Sequence, residues 1–583
     1  MKNKVNLKKV SDVVAEVLIE EKVSHVFAIS GGASLHLIHS LADNENIQYV
    51  CNHNEQAAAM AADGYSRVSG NIGVALTTSG PGATNLITGI CCSYYDSVPS
   101  LFITGQVSTF RMKGDTGVRQ IGFQETPIVD VVKSITKYAY TINHPSEIKY
   151  QIQKALHIAR SGRPGPVLID IPDDLQRVNI ESSLLKNFQP DIEQEKGKLT
   201  DTILNIMSMI KKSKRPVIIA GWGIHLSKTQ SDFIKFAEDL NLPIALTWGA
   251  ADLISFDHEL YIGTFGTHGN RHANFAVQNA DLIISFGSRL DTKSTGSPVN
   301  TFARKAKRIM VEIDINELNK FKKFDLKFDK LIHCDLKDFF DEVQKINIQK
   351  FFNKHDDWVN QINQWQEAFN AFDDRKNLST TQVNPYNFVD RISDNLKENS
   401  KVFIDTGCSI AWFMQSIRTP KTVRVFHDFN NTAMGWALPA SIGGYYADLG
   451  KSPIITIVGD GGFMMTSYEL ATAMHNNIPL KIFIMNNQGY SMIQQTQDQW
   501  LDSNYYASSK QGGISFPDFQ KLSKAYNFKY FELKDDSDLH LVEEIFAYPK
   551  ALICNVFIDN DFRVTPQVKF GRPNEDMGPL LPR

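Results

Sequence analysis

Short apolar runs alternate with helix-length segments along most of the chain, and this alternation falls into three blocks. Runs that predict buried strands in the first block are HVFAIS (25–30), GVALTTS (73–79), SLFITG (100–105) and PVLIDIP (166–172). Those in the second and third blocks are PVIIAG (216–221), DLIISFG (281–287), RIMVEID (308–314), KVFIDTG (401–407), PIITIVG (453–459), LKIFIMNN (480–487) and ALICNVFI (551–558). Near-continuous apolar strands separated by helices are typical of parallel sheets covered on both faces.

The blocks predict an α/β protein made of three doubly wound parallel-sheet domains. We expect these domains to span 1–185, 199–350 and 375–583. The polar stretch 186–198 is interpreted as a linker, and the similar patterns of the first and third blocks indicate two related lobes. Within 354–372, one apolar face predicts a packed helix, formed by Trp358, Ile362, Trp365 and Phe369.

Composition and charge exclude several classes of function. The 61 Lys and Arg residues against 64 Asp and Glu residues give a net charge of −3, which offers no basic footprint for nucleic acid. No apolar run reaches the roughly 18 residues needed to span a bilayer, so we expect no membrane partner. The first residues lack the features of a secretory signal, and six cysteines without C-x-x-C spacing indicate reduced thiols. We therefore expect a cytoplasmic protein.

Two polar clusters follow neighbouring strands of the third block. Gly459, Asp460, Gly461 and Gly462 end the strand 453–459, and Asn486–Asn487 ends the next strand. Ligands bind beyond the carboxyl ends of strands in open parallel sheets, so Asp460 and Asn487 can converge there. Their oxygens suit Mg²⁺, and the glycines allow a phosphate to approach the backbone. Either cluster alone is equally well explained as an ordinary turn.

Together the two clusters resemble the signature of the thiamine-diphosphate (ThDP) enzymes, a GDG followed by NN about one crossover later. The resemblance implies that Asp460 and Asn487 coordinate Mg²⁺ through their side chains and that Gly489 supplies a backbone carbonyl. Gly459, Gly461 and Gly462 would then lie at the diphosphate.

The segment YVCNHNEQAAAMAADGYSRVSG (49–70) resembles the catalytic-glutamate motif of the acetolactate synthase branch of this family. Similarity continues through 77–107, 122–129 and 163–172. The resemblance implies that Glu55 meets the cofactor's pyrimidine ring across a subunit interface, and hence a homodimer or homotetramer. Gln106, Phe123 and Gln124 match positions near the substrate pocket of acetolactate synthase.

Two further segments are similar to cofactor-binding segments of the family. FNNTAMGWALPASIGG (429–444) resembles the part that bends the cofactor, with Met434 as the wedge and Gly435 beside it. DTGCSIAWF (405–413) supplies Gly407 and Ser409 as additional candidates for cofactor binding.

The middle block resembles the FAD-binding domain of acetolactate synthase, with Arg289 and Asp314 as implied flavin contacts. Lys293 replaces the usual Arg, and Trp222 interrupts the Gly-rich turn. A nucleotide-binding fold that has lost its flavin is the alternative.

The resemblance implies decarboxylation of pyruvate followed by transfer of a two-carbon unit. Thr496 stands where acetolactate synthase has a pocket-narrowing tryptophan, Trp500 follows four residues later, and Asp173 replaces a usual lysine. The 490–528 region and the ending NEDMGPLLPR instead resemble relatives from surface-polysaccharide pathways. The acceptor therefore stays open between a second pyruvate and a nucleotide-linked keto sugar. A catalytically inactive regulatory paralogue is a third interpretation, although Glu55 and both side-chain metal ligands are present.

Overall fold

A computed structural model of the protein describes residues 7–190, 199–369, 378 and 380–581. It confirms three α/β domains, each built on a six-stranded parallel sheet. The predicted start of the third domain at 375 and most of the predicted linker, 191–198, lie outside the described residues. Among the described helices, none combines the length and apolar character needed to cross a membrane.

The first domain carries its sheet between two layers of helices. Its strands, in order across the sheet, are Gln48–Cys51, His25–Ala28, Gly73–Thr77, Ser100–Gln106, Val167–Pro172 and Tyr138–Thr141. Its α-helices are Val10–Glu20, Leu35–Ala42, Glu55–Ser69, Pro81–Thr84, Ile87–Tyr95, Ile128–Val132, Ile148–Arg160 and Asp173–Gln176. A short antiparallel pair joins Leu7–Lys9 to Asn179–Glu181.

The middle domain has the strand order of a dinucleotide-binding sheet. Its strands, in order, are Tyr261–Thr264, Ile244–Leu246, Pro216–Ala220, Leu282–Phe286, Lys307–Glu312 and Lys330–His333. Its α-helices are Thr200–Lys212, Gly223–Leu226, Gln230–Leu240, Arg271–Asn279, Thr292–Thr295, Ile315–Asn319 and Leu336–Val343. The amphipathic segment that follows forms the helix Asp356–Ala368, where Trp358 and Ile362 are buried against this domain.

The third domain repeats the topology of the first. Its strands, in order, are Arg424–Phe426, Lys401–Ile404, Ile454–Gly459, Lys481–Asn486, Leu552–Phe557 and Lys529–Leu533. Its α-helices are Pro385–Asn395, Cys408–Ser416, Ala437–Ala447, Asp460–Thr466, Leu470–His475, Ser491–Trp500, Phe519–Ala525 and Val542–Ala547. A second short antiparallel pair joins Gln567–Val568 to Met577–Gly578. Numbered within each domain, the first and third sheets share the order 2-1-3-4-6-5, which agrees with the two related lobes inferred from the sequence.

The first and third domains contact each other through two helices rich in small residues. Glu55–Ser69 packs on Ala437–Ala447, and glycines allow the two backbones to approach closely. A Cβ atom on Gly64 would lie 2.2 Å from the Ala440 carbonyl oxygen, and one on Gly443 would lie 1.9 Å from that of Ala61. Larger residues at these two positions would therefore separate the lobes.

A buried ion cluster sits at the end of this contact, and its removal is expected to destabilise the protein. Arg67 donates to Asp63 at 2.7 Å, to Asp96 at 2.8 Å and to the His427 carbonyl at 2.9 Å. Arg67→Ala would leave two buried carboxylates unpaired, so we expect a loss of about 3–5 kcal/mol. Thermal unfolding of the purified variants measures this loss. Lys235→Ala, which removes an exposed ion pair, is the control, and equal shifts for both variants would contradict the prediction.

Candidate active site

The two polar clusters of the third domain meet beyond the carboxyl ends of two adjacent parallel strands, Ile454–Gly459 and Lys481–Asn486. Asp460 begins the helix after Ile454–Gly459, and its carboxylate accepts the N–H groups of Gly461 at 2.7 Å and Gly489 at 3.3 Å. The side chain is buried, and burial raises the pKa of this carboxyl to about 7, although backbone N–H donors oppose the shift. A divalent cation would compensate the buried charge.

Asn487 and Gly489 form the other half of this cluster. The Asn487 side-chain amide nitrogen donates to Ser491 Oγ, which leaves the amide oxygen as the atom suited to a cation. The next residue, Gln488, has a left-handed φ of 58°, so the chain turns sharply towards Asp460. A Cβ on Gly489 would lie 2.8 Å from the Ser508 carbonyl oxygen, which explains glycine there. In the part of the chain that the structure describes, no group of three His, Cys, Asp or Glu side chains could hold a metal, so Asp460 would be the single charged ligand.

The glycines around this turn have two different physical roles. Beside Gly407 and Gly459 the space is open, with no heavy atom within 4 Å of an added Cβ. These positions form a cradle where a diphosphate could approach the backbone. An added Cβ would instead lie 2.2 Å from the Tyr490 ring at Gly461 and 1.9 Å from an Asp405 oxygen at Gly462, so both are required for internal packing.

The helix Cys408–Ser416 begins beside the open space at Gly407. Gly407 has a φ of 96°, which favours glycine, and it caps the helix. Ser409 lies in the first turn and is buried. The N-terminus of this helix therefore presents its N–H groups towards the cradle.

Asp405 is a structural residue of the site that we did not single out from the sequence. Its buried carboxylate accepts the N–H groups of Gly435 at 2.8 Å and Trp436 at 3.1 Å, and burial raises its pKa to about 7. It thereby fixes the loop carrying Met434, whose Cε lies 3.1 Å from the position of an added Cβ on Gly461. The sequence feature that could have indicated Asp405 is its position directly after the strand Lys401–Ile404, at the carboxyl end where ligands bind.

Glu55 is the first residue of its helix in the first domain. Asn54 caps the helix by accepting the Gln56 N–H at 2.8 Å, so the chain places Glu55 in the first turn. The Glu55 carboxylate is partly buried and accepts a hydrogen bond from the Asn85 side chain at 2.9 Å. Its charge acts on Tyr468 of the third domain: burial, Glu469 and Glu55 together raise the pKa of Tyr468 to about 12.

The three candidate substrate-positioning residues lie in one region of the first domain, where the Gln106 side chain contacts Thr126, two residues after Gln124. Gln106 is buried, and its amide donates to the Thr126 carbonyl at 2.8 Å and to Asp170 at 3.0 Å. Phe123 is 87% exposed, and Gln124 has a left-handed φ of 66° and packs beside Gly80. In this chain Gln106 therefore braces the domain interior, whereas the 123–124 loop lies at the surface.

Comparison with known proteins agrees with the site geometry. Family models described as the N-terminal TPP binding domain, the central domain and the C-terminal TPP binding domain of thiamine pyrophosphate enzymes match residues 8–131, 203–342 and 405–556. The chain is 32% identical to the acetolactate synthase large subunit of Lactococcus lactis, over 97% of this chain and 95% of that protein. This chain belongs to the thiamine-diphosphate-dependent enzymes, in their acetolactate synthase-like branch.

Other members of this branch show the same extent of similarity. A probable acetolactate synthase large subunit of Methanococcus aeolicus is 32% identical, over 95% of this chain and 92% of that protein. A chloroplastic acetolactate synthase of Nicotiana tabacum is also 32% identical, over 98% of this chain and 85% of that protein. The similarity therefore spans all three domains of this ThDP enzyme.

A cavity of about 370 Å³ lies between the three domains of this ThDP enzyme, at the switch point of the middle sheet. Its lining includes the positively charged side chains of Arg163, Arg289 and Lys293. Gly407 also lines the cavity, so the cavity adjoins the diphosphate cradle. Asp314 does not line it. Its carboxylate instead pairs with Arg163 at 3.0 Å and caps the helix Ile315–Asn319.

The residues expected to define the acceptor pocket lie on the helix Ser491–Trp500 and near Asp173. Thr496 is partly buried, and its hydroxyl donates to the Met492 carbonyl at 3.1 Å. Trp500 is 63% exposed and lies edge-on to Phe570, so it does not fill the space left by the small Thr496 side chain. The Asp173 carboxylate accepts a 2.5 Å hydrogen bond from Ser108.

Proposed function

We propose that this enzyme decarboxylates pyruvate and transfers the remaining two-carbon unit to a second pyruvate, which gives 2-acetolactate. The observation that carries the proposal is the convergence of buried Asp460 with the 487–489 turn beside the open cradle at Gly407 and Gly459. The relatives named acetolactate synthase support the choice of substrate.

Asp460, Asn487 and the Gly489 carbonyl would hold Mg²⁺, which in turn would neutralise the diphosphate at the Gly407 helix N-terminus. When bound, ThDP supplies the electron sink for loss of carbon dioxide. Glu55 would donate a hydrogen bond to the pyrimidine ring, so its carboxyl holds the proton that activation of the cofactor requires. Met434, fixed by Asp405 through Gly435, would support the bent cofactor.

The sequence lacks the paired histidines that would protonate the two-carbon unit, and this bears on the fate of that unit. Simple 2-keto-acid decarboxylases of the ThDP family protonate the unit with paired histidines, and no two histidines are adjacent in this sequence. Transfer to a carbonyl acceptor is therefore the expected outcome, and it requires no redox step.

The residues at the expected acceptor pocket support an alternative to pyruvate as the acceptor. Thr496 is smaller than the tryptophan that acetolactate synthase has at this position. Asp173 replaces a usual lysine, whose positive charge would attract a second keto acid. A nucleotide-linked keto sugar, giving a branched sugar, is therefore the alternative acceptor. Mass spectrometry of products formed from pyruvate, with and without such a sugar, distinguishes the two. Rapid formation of acetolactate from pyruvate alone would exclude the sugar as the main acceptor.

Thr496→Trp is expected to shift the enzyme towards the smaller acceptor. The added ring would occupy space beside Met492, so the ratio of acetolactate to sugar product should rise by about 10-fold or more, the scale of steric discrimination in pockets. The ratio is measured with both acceptors present, and Thr496→Ser, which keeps the hydroxyl and adds no bulk, serves as the control. An unchanged ratio in Thr496→Trp would place the acceptor elsewhere.

We also propose that the three-domain cavity binds FAD. Arg163, Arg289 and Lys293 suit its pyrophosphate, and buried Trp222 Nε1 has no hydrogen-bond partner among the described residues. The alternative is a middle domain without flavin. The visible absorption of the purified protein after reconstitution with FAD tests this: a bound flavin spectrum is expected, and its absence would favour the alternative.

A homodimer or homotetramer is proposed because Glu55 is only partly buried and several large apolar side chains are exposed at the surface. Exposed fractions reach 72% for Phe110, 87% for Phe123 and 74% for Tyr506. A second copy would cover these residues and complete the site, and light scattering of the purified protein measures the oligomeric state.

All six cysteines are free, which supports the cytoplasm as the compartment of the protein.

A further inference from the structure

Glu469 connects the metal-binding segment of the third domain to the turn that precedes Glu55. It ends the short 3₁₀ helix Ser467–Glu469, directly after the helix Asp460–Thr466. Its side chain is fully buried, with 0% exposed. It accepts hydrogen bonds from the Asn52 side chain at 2.9 Å, from the His53 N–H at 2.8 Å and from the Asn54 N–H at 3.3 Å.

These contacts fix the turn on both sides. Residues 52–54 lie between the strand Gln48–Cys51 and the helix that begins at Glu55, and Asn54 is the helix cap. The Thr472 hydroxyl lies 2.8 Å from the Glu469 carboxylate and 3.1 Å from the Cys51 carbonyl, so it supports the same turn. A buried carboxylate that accepts several backbone N–H groups holds them rigidly, since each lost bond would leave a buried donor unpaired.

We propose that Glu469 is a positioning residue that acts through Glu55. By fixing the 52–54 turn, it sets the place from which the Glu55 carboxyl reaches the cofactor. The inference rests on the proposed function of Glu55. Glu469 itself touches neither Glu55 nor the cradle at Gly407 and Gly459 in any hydrogen bond found here, so its effect should follow the reach of its side chain rather than its charge.

Two substitutions separate reach from charge. Glu469→Asp keeps the charge but withdraws the carboxylate by one methylene, which releases the turn. Glu469→Gln keeps the reach, and its carbonyl oxygen can still accept the His53 and Asn54 N–H groups. Because displacement of a catalytic group by about 1 Å can reduce turnover by about 100-fold, we expect a loss of that order in kcat for Glu469→Asp. Glu469→Gln should retain turnover close to that of the unaltered enzyme.

The decisive experiment is a double-mutant cycle with Glu55→Gln in the full-length enzyme loaded with ThDP and Mg²⁺. Glu469→Asp should lower kcat in the unaltered enzyme, leave ThDP affinity and KM nearly unchanged, and have no further effect in the Glu55→Gln background. Equal losses in both backgrounds, or loss of ThDP affinity, would overturn the proposal. Should Glu469→Asp fail to fold, Asn52→Ala removes one of the same hydrogen bonds and is read by the same criteria.

Failure of the proposed function gives a different result. If Glu55→Gln alone leaves kcat unchanged, the role of Glu55 is wrong whatever Glu469 does. If Glu55→Gln is inactive but Glu469→Asp is fully active, only the positioning role of Glu469 is wrong.

Discussion

Glu55→Gln is expected to lower the turnover of pyruvate by about 10²–10⁴-fold, the usual contribution of a positioned acid or base. The substitution keeps the size of the side chain and an oxygen that can accept the hydrogen bond from Asn85. It removes the proton that the carboxyl would share with the pyrimidine ring. The rate of carbon dioxide release at saturating ThDP, Mg²⁺ and pyruvate measures the effect.

The fold should survive this substitution. Glu55 lies in the first turn of its helix, where a partly buried negative charge contributes at most about 2 kcal/mol. Glu45→Gln makes the same chemical change at an exposed position of the same domain and should leave turnover unchanged. Turnover in Glu55→Gln equal to that of Glu45→Gln would contradict a catalytic role for Glu55. Absence of turnover in the unaltered protein as well would favour the inactive-paralogue interpretation.

Asp460→Ala is expected to abolish binding of ThDP at ordinary Mg²⁺ concentrations. The variant loses the acidic residue of the proposed ligand set and leaves the Gly461 and Gly489 N–H groups without their acceptor. We expect Mg²⁺-dependent affinity for ThDP to fall by at least about 100-fold, because changes that merely disturb metal ligands already cause losses of 10–100-fold. Calorimetric titration of ThDP in the presence of Mg²⁺ measures this affinity.

The control for Asp460→Ala is Asp561→Ala, which removes an exposed carboxylate from the same domain. It should bind ThDP normally. Removal of Mg²⁺ by a chelator should reduce ThDP binding in the unaltered enzyme and have little further effect in Asp460→Ala. Mg²⁺-dependent binding that persists in Asp460→Ala would place the metal elsewhere.

The sheets and the metal-binding cluster could be predicted because their determinants are local. The apolar runs near 453–459 and 480–487 specify adjacent buried strands, and the polar residues that follow them must meet at one sheet edge. The role of Asp405 could not be predicted in this way, because its partners, Gly435 and Trp436, are about 30 residues away along the chain.

The surroundings of individual side chains could not be predicted from the sequence. Gln106 stays a predicted substrate-positioning residue, and the sequence did not indicate that its amide donates to Thr126 and Asp170, partners that only the folded domain brings together. Asp314 stays a predicted flavin contact, and its ion pair with Arg163 of the first domain could not be predicted from the sequence. Glu469 contacts residues 52–54 more than 400 positions away, which no local pattern indicates.

Release of labelled carbon dioxide from carboxyl-labelled pyruvate tests the central claim most directly. The protein, stripped of metal and cofactor, is assayed with ThDP and Mg²⁺ added separately and together, and the carbon products are identified by mass spectrometry. We predict label release only when both are present, with the two-carbon unit recovered in a new carbon–carbon bond. Pyruvate left intact with both additions, in the presence of either acceptor, would contradict the account.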